Sequence, residues 1–150
     1  MKCISDITQD IFENEFMGEF SMTNPDCISG WLDSNVGKLN TQLYECFSGQ
    51  SGTYCFNDQA GDIYKLMYMQ DYYTKQAAIA LRGILDGTGG SNILSVKEGD
   101  TAVTRVNKNE VAKTMRSVAT DYSNQIDSLV GKYQIYISNP VQVAGEDGCY

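Results

Sequence analysis

Side-chain chemistry in proteins most often begins with histidine, and this chain of 150 residues has none. Its absence removes the commonest general base, the Ser-His and Cys-His pairs, and the usual zinc sites. Cysteine remains, at Cys3, Cys27, Cys46, Cys55 and Cys149. The number is odd, the spacings are irregular and no CxxC occurs, so cysteine ligation of a metal has no second pair to complete it. A cysteine nucleophile would need a base, and the sequence offers none. The expectation is reduced, mostly structural thiols, with a Cys46–Cys55 bridge around a glycine-rich loop as the alternative. Glu13, Glu15 and Glu19 lie close together, but a solvated helix face explains them better than a catalytic dyad. "GTGGS" at 87–91 lacks the lysine and the preceding strand of a P-loop and reads as a helix stop. "DQAGD" at 58–62 shares only its composition with a calcium loop. No enzyme, cofactor or metal site is expected.

Trp31 and the tyrosines could serve as stacking platforms. Without arginine or lysine beside them, core packing or protein contact is the better account. A net charge of −8 argues against a general nucleic-acid binder, which needs a basic face to displace counterions. It is compatible with lying beside DNA that must slide past. No run approaches the length of a membrane span, and the N-terminus carries acids where a signal peptide needs apolar residues. A chain made and kept in a cytosol is expected.

The elements that would position these groups are mostly helical. A composition of 42% hydrophobic and 20% charged residues, with two prolines, suits one globular domain over 1–150. Residues 5–20 carry Ile7, Ile11, Phe12 and Phe16 at helical spacing, with Ser5 or Asp6 as the cap. Asn24-Pro25 opens a second helix with Ile28, Trp31, Leu32 and Val36 on one face, and Gly37 is its expected stop. "SGQSG" at 48–52 reads as a turn. A long helix is predicted over 62–85. Ile63, Leu66, Met67, Ala77, Leu81 and Ile84 lie on one side, and Tyr64, Tyr68, Tyr72 and Ile79 on the other. A helix apolar on two sides is either central in its own domain or shared with a partner. A second long helix is predicted over 108–136, with Val111, Met115, Val118, Tyr122, Ile126, Leu129 and Tyr133 as its stripe and Asn107 with Glu110 as a capping box. Between them, 86–107 holds short alternating apolar runs around Gly99-Asp100, which suit a projecting loop or short β-hairpin. Residues 137–150 read as an extended acidic tail. The fold class is therefore mainly α: a helical bundle built on two long antiparallel helices.

Two blocks, "WLDSNVGKLN" at 31–40 and "VKEGDTAVTRVNKNEVAKTMRSVATDYSNQIDSLVGKYQIY" at 96–136, the latter preceded by "IYKLMYMQDYYTKQAAIALRGIL", carry a family resemblance. Together they resemble head-to-tail connector (adaptor, neck ring) proteins of tailed bacteriophages, over roughly residues 28–136. The resemblance implies a non-enzymatic virion protein assembled in the host cytoplasm. Such subunits usually form a ring of twelve below the portal protein, contact adjacent neck or tail proteins and continue the DNA channel without specific DNA binding. It also implies that the 86–107 loop reaches a neighbour or the channel and that the tail docks on the portal or the next ring. The family carries over no individual contact residue; read from this chain itself, the candidate interface residues are Tyr64, Tyr68 and Tyr72 on the helix, Lys97, Glu98, Asp100 and Arg105 on the loop, and Val141, Val143 and Tyr150 in the tail. Another neck or tail-completion protein, or a cytosolic helical oligomer binding a regulatory partner, are the alternatives.

Overall fold

The computed structural model describes residues 1–47, 49, 53–85, 95–98, 101–104 and 108–138. The described residues are mainly helical, with four α-helices and two small antiparallel strand pairs among them. It opens on strand β1 (Lys2–Cys3), which pairs with β2 (Cys55–Phe56), setting Lys2 opposite Phe56 and Cys3 opposite Cys55. Cys3 and Cys55 are joined by a disulfide across a Cα–Cα distance of 3.9 Å. This corrects the expectation of reduced thiols, and of Cys46 as the partner of Cys55. Nearness in sequence favoured Cys46, whereas antiparallel pairing brings Cys3 in from 52 residues away. Cys27 and Cys46 are free and exposed.

Helix α1 (Ile4–Asp10) starts where the strand pair ends, so its N-cap is Cys3 rather than Ser5 or Asp6. Asp6 contributes from the third helical position, its carboxylate accepting the Cys3 N–H at 2.9 Å. One π-helical turn, Ile11–Glu15, follows, with Phe16 N–H bonded back to the Ile11 carbonyl at 3.2 Å. The wider turn has a packing reason. A continuing α-helix would bring Asn14 or Glu15 onto the face of buried Ile11, and one extra residue brings Phe16 there instead. The helix expected over 5–20 ends at this point, because Met17 (φ 52°) and Gly18 (φ 71°) both turn left-handed.

Helix α2 (Pro25–Leu43) begins as the sequence suggests. Asn24 Oδ1 accepts the Asp26 N–H at 3.0 Å, and Pro25 takes the first position. It does not stop at Gly37. Leu39 and Leu43 extend the buried stripe of Ile28, Leu32 and Val36. Burying each leucine stabilises by roughly 1.5–3 kcal/mol, against about 1 kcal/mol for an interior glycine. The helix ends on Tyr44 in the left-handed region (φ 55°).

Helix α3 (Asp58–Leu85) starts one turn before the expected Asp62, because Asn57 Oδ1 accepts the Ala60 N–H at 2.7 Å and caps it. Gly61 permits a close approach: a Cβ there would lie 3.1 Å from the Lys2 side chain. Helix α4 (Lys108–Ser138) packs along α3. Tyr133 meets Asn57 near the start of α3, and Tyr122 stacks on Tyr73 further along it, so the two helices run antiparallel. The buried face of α4 (Ala112, Ala119, Ile126, Val130, Tyr133) is turned slightly from the expected stripe: Val111, Met115 and Val118 are half-buried. Ala112 and Ala119 on α4 and Ala77 on α3 are all buried. Between the long helices, β3 (Ser95–Glu98) and β4 (Thr101–Thr104) pair antiparallel, with Val96 opposite Val103.

Candidate interaction surface

Helix α3 is apolar on two sides because it is central within the chain. One side faces α4, and the tyrosine side faces α2 and the π-helical turn. Tyr64 is fully buried, its hydroxyl donating to the Leu32 carbonyl and its ring packed 5.4 Å from Phe56 and 5.9 Å from Trp31. Tyr68 is 6% exposed, edge-on to Trp31, with its hydroxyl 3.3 Å from Thr23 Oγ1. Tyr72 is half-buried; its ring meets Phe16 edge-on, and its hydroxyl donates to the Met22 carbonyl at 3.5 Å. Burial raises all three phenol pKa values. Tyr64 and Tyr68 are thus packed inside the chain and Tyr72 is half covered: a face that looks unpartnered along the helix is covered by α2 from an earlier part of the chain. Lys97 and Glu98 fall in β3. Asp100, Arg105, Val141, Val143, Tyr150, the Asn107 cap, the "SGQSG" turn apart from Gly49, and the tail from 139 onward lie outside the described residues.

Two polar clusters hold the elements in place. Lys65 Nζ lies 2.9 Å from Asp10 Oδ2 and 2.8 Å from Glu15 Oε1, pinning the π-helical turn to α3. The hydrogen bond from Lys65 holds the Asp10 carboxyl below its ordinary range. Burial alone would lower the Lys65 pKa, but the two carboxylates raise it. At the other cluster Asn57 Nδ2 donates to Tyr133 Oη at 2.6 Å, and that hydroxyl donates to Glu45 Oε2 at 2.7 Å. One phenol therefore joins α4, the cap of α3 and the segment after α2. Burial, then the hydrogen bond to Glu45, raises its pKa.

Among the described residues, large apolar side chains are exposed singly at Met1 (88%) and Ile79 (58%), and in groups close in sequence at two places. The loop after the π-helical turn exposes Met17 (84%), Phe20 (71%) and Met22 (54%). Phe20 is held edge-on to Phe12 at 4.9 Å. The last turn of α4 exposes Ile135 (65%), Tyr136 (68%) and Ile137 (49%). Tyr44 is exposed next to Glu45, which bonds Tyr133, so it shares that end of the molecule. Sequence reasoning missed the first patch by absorbing Met17 and Phe20 into a helix. The signal was Gly18 set between apolar residues that fit no single helical face. A groove of about 600 Å³ also lies between α1 and α2. Among the described residues no group of three or more His, Cys, Asp or Glu is placed to hold a metal ion, and no helix is long and apolar enough to cross a membrane. No family model, curated protein or solved structure matches the chain.

Proposed function

We propose that this protein is a structural subunit of a tailed-bacteriophage virion, a head-to-tail connector that closes into a ring below the portal protein. One observation supports the reading beyond the sequence resemblance: among the described residues, exposed large apolar side chains are grouped at two points far apart in sequence, Met17–Phe20–Met22 and Ile135–Tyr136–Ile137. Closed rings beyond a dimer use head-to-tail contacts, in which two different surfaces of each subunit meet. Two unlike patches suit that geometry, whereas an isologous dimer needs only one. Large exposed apolar residues grouped in this way mark interaction sites. The charge of −8, repeated around a ring, gives an acidic passage that DNA crosses without adhering. The Cys3–Cys55 bridge suits a particle that leaves a reducing cytoplasm, since disulfides persist on virions. In this reading the portal and the adjacent neck or tail proteins are the partners, and the β3–β4 hairpin and the tail add contacts to them.

The test is native mass spectrometry of the chain with its portal partner, comparing wild type with Phe20→Asp and Ile135→Asp. Wild type should assemble into rings on the portal, and either variant alone should fail. Mixed, the two variants retain one intact pairing and should stop at heterodimers. Rings formed by both single variants would refute the two-patch contact, and a monomer indifferent to every portal would move the regulatory-partner reading forward.

A further inference from the structure

The groove between α1 and α2 combines apolar and acidic side chains. Ile4 and Thr8 form its floor, Phe12 and Pro25 give it apolar walls, and Glu13, Asp26 and Asp33 border it. No lysine or arginine among the described residues lines it. Gln9 Nε2 donates to Glu13 Oε1 at 2.9 Å, so that carboxylate is held in place. Thr8 is 7% exposed, and its Oγ1 has no hydrogen-bond partner among the described residues. A buried, unpaired hydroxyl is costly and uncommon. Threonine in a helix divides between two χ1 wells, so its oxygen can turn toward a donor entering the groove. The opening is at Gly30: a Cβ there meets nothing within 4 Å. The wall at Phe12 belongs to the π-helical turn, a distortion frequent at functional sites.

We infer that this groove takes an arginine or lysine side chain presented by a partner protein. The aliphatic stem lies along Ile4, Phe12 and Pro25, the charge sits among Glu13, Asp26 and Asp33, and an N–H reaches Thr8 Oγ1. Its volume is ample for one long basic side chain together with its neighbours on the same segment. Charge complementarity selects the occupant: another copy of this chain carries the same net charge of −8, so a basic segment of a different protein fits better. The inference does not depend on ring formation.

The test uses a fluorescein-labelled peptide with arginines flanking a leucine stripe, and its twin with citrulline in place of arginine, read by anisotropy against the full-length protein. The arginine peptide should bind and the citrulline twin should not. Gly30→Leu fills the opening and should weaken binding by about tenfold, while Gly30→Ala should leave it within about twofold. Should Gly30→Leu not fold, Glu13→Gln on the exposed edge should weaken binding by about threefold. Thr8→Val should raise the melting temperature of the free protein yet weaken the peptide, a combination that a purely structural hydroxyl would not produce. Equal binding of both peptides, or binding untouched by the groove variants, overturns the inference.

Discussion

At the scale of single residues, the most consequential side chains are those that join elements distant in sequence. Tyr133 is the clearest case: one hydroxyl both accepts from Asn57 and donates to Glu45. Tyr133→Phe keeps the ring but leaves Asn57 and Glu45 without that partner. It should cost roughly 1–2 kcal/mol, read as a lower midpoint in urea with an unchanged slope. Lys65 makes a pH-dependent prediction. Its hydrogen bond depresses the Asp10 carboxyl, so the stabilisation is present above the ordinary carboxylate value of 3.8 and is lost as pH falls through the lower folded value. The raised Lys65 pKa acts at the opposite limit: its contribution is present below 10.5 and is lost as pH rises through the folded value. Lys65→Met should therefore lower stability across the neutral range, by roughly 1–2 kcal/mol after allowing for the partly exposed carboxylates, and flatten the acid limb of a thermal-denaturation profile. An unchanged acid limb would show that the triad carries no such linkage.

At the scale of elements, the short strand pair does more than its length suggests. Strands β1 and β2 contain two residues each, too few to persist alone, and the Cys3–Cys55 bond fastens them. That bond closes a segment of 52 residues, which includes all of α1 and α2. Loop-closure entropy puts the stabilisation at about 4 kcal/mol. Reduction with dithiothreitol, or Cys55→Ala, should lower the melting temperature markedly, with α1 losing protection from hydrogen exchange before α3 and α4. Simultaneous loss across all helices would mean that the first third of the chain is not a separate cooperative unit. The π-helical turn is the other element with a particular role. It moves Phe16 onto the core and thereby delivers Met17, Phe20 and Met22 to the surface as a group.

At the scale of the whole molecule, charge and apolar patches oppose one another. Subunits of net charge −8 repel at low ionic strength, while the patches at Met17–Met22 and Ile135–Ile137 attract. If the proposed ring forms, its assembly should therefore increase as salt is raised from about 0.02 M to about 0.5 M, followed by sedimentation velocity. Peptide binding in the acidic groove should decrease over the same range. The opposite signs let the two interactions be separated in one titration.

The sequence by itself determined the helices whose apolar periodicity is long and whose caps are local. These are α2 from Asn24-Pro25, the extent of α3 and α4 to within a turn, and a hairpin between them, because spacing and capping are short-range properties. Tertiary structure decided what those patterns face. Tyr64, Tyr68 and Tyr72 form a stripe that looks free along α3, and only the return of α2 and Phe16 covers it. Cys55 lies nine positions from Cys46 in sequence, and only strand pairing sets it opposite Cys3. Gly37 resembles a stop until Leu39 and Leu43 find a core beyond it. The exposed patches and the acidic groove belong to this second class. Exposure is what remains after every long-range contact has formed, and no local spacing encodes it.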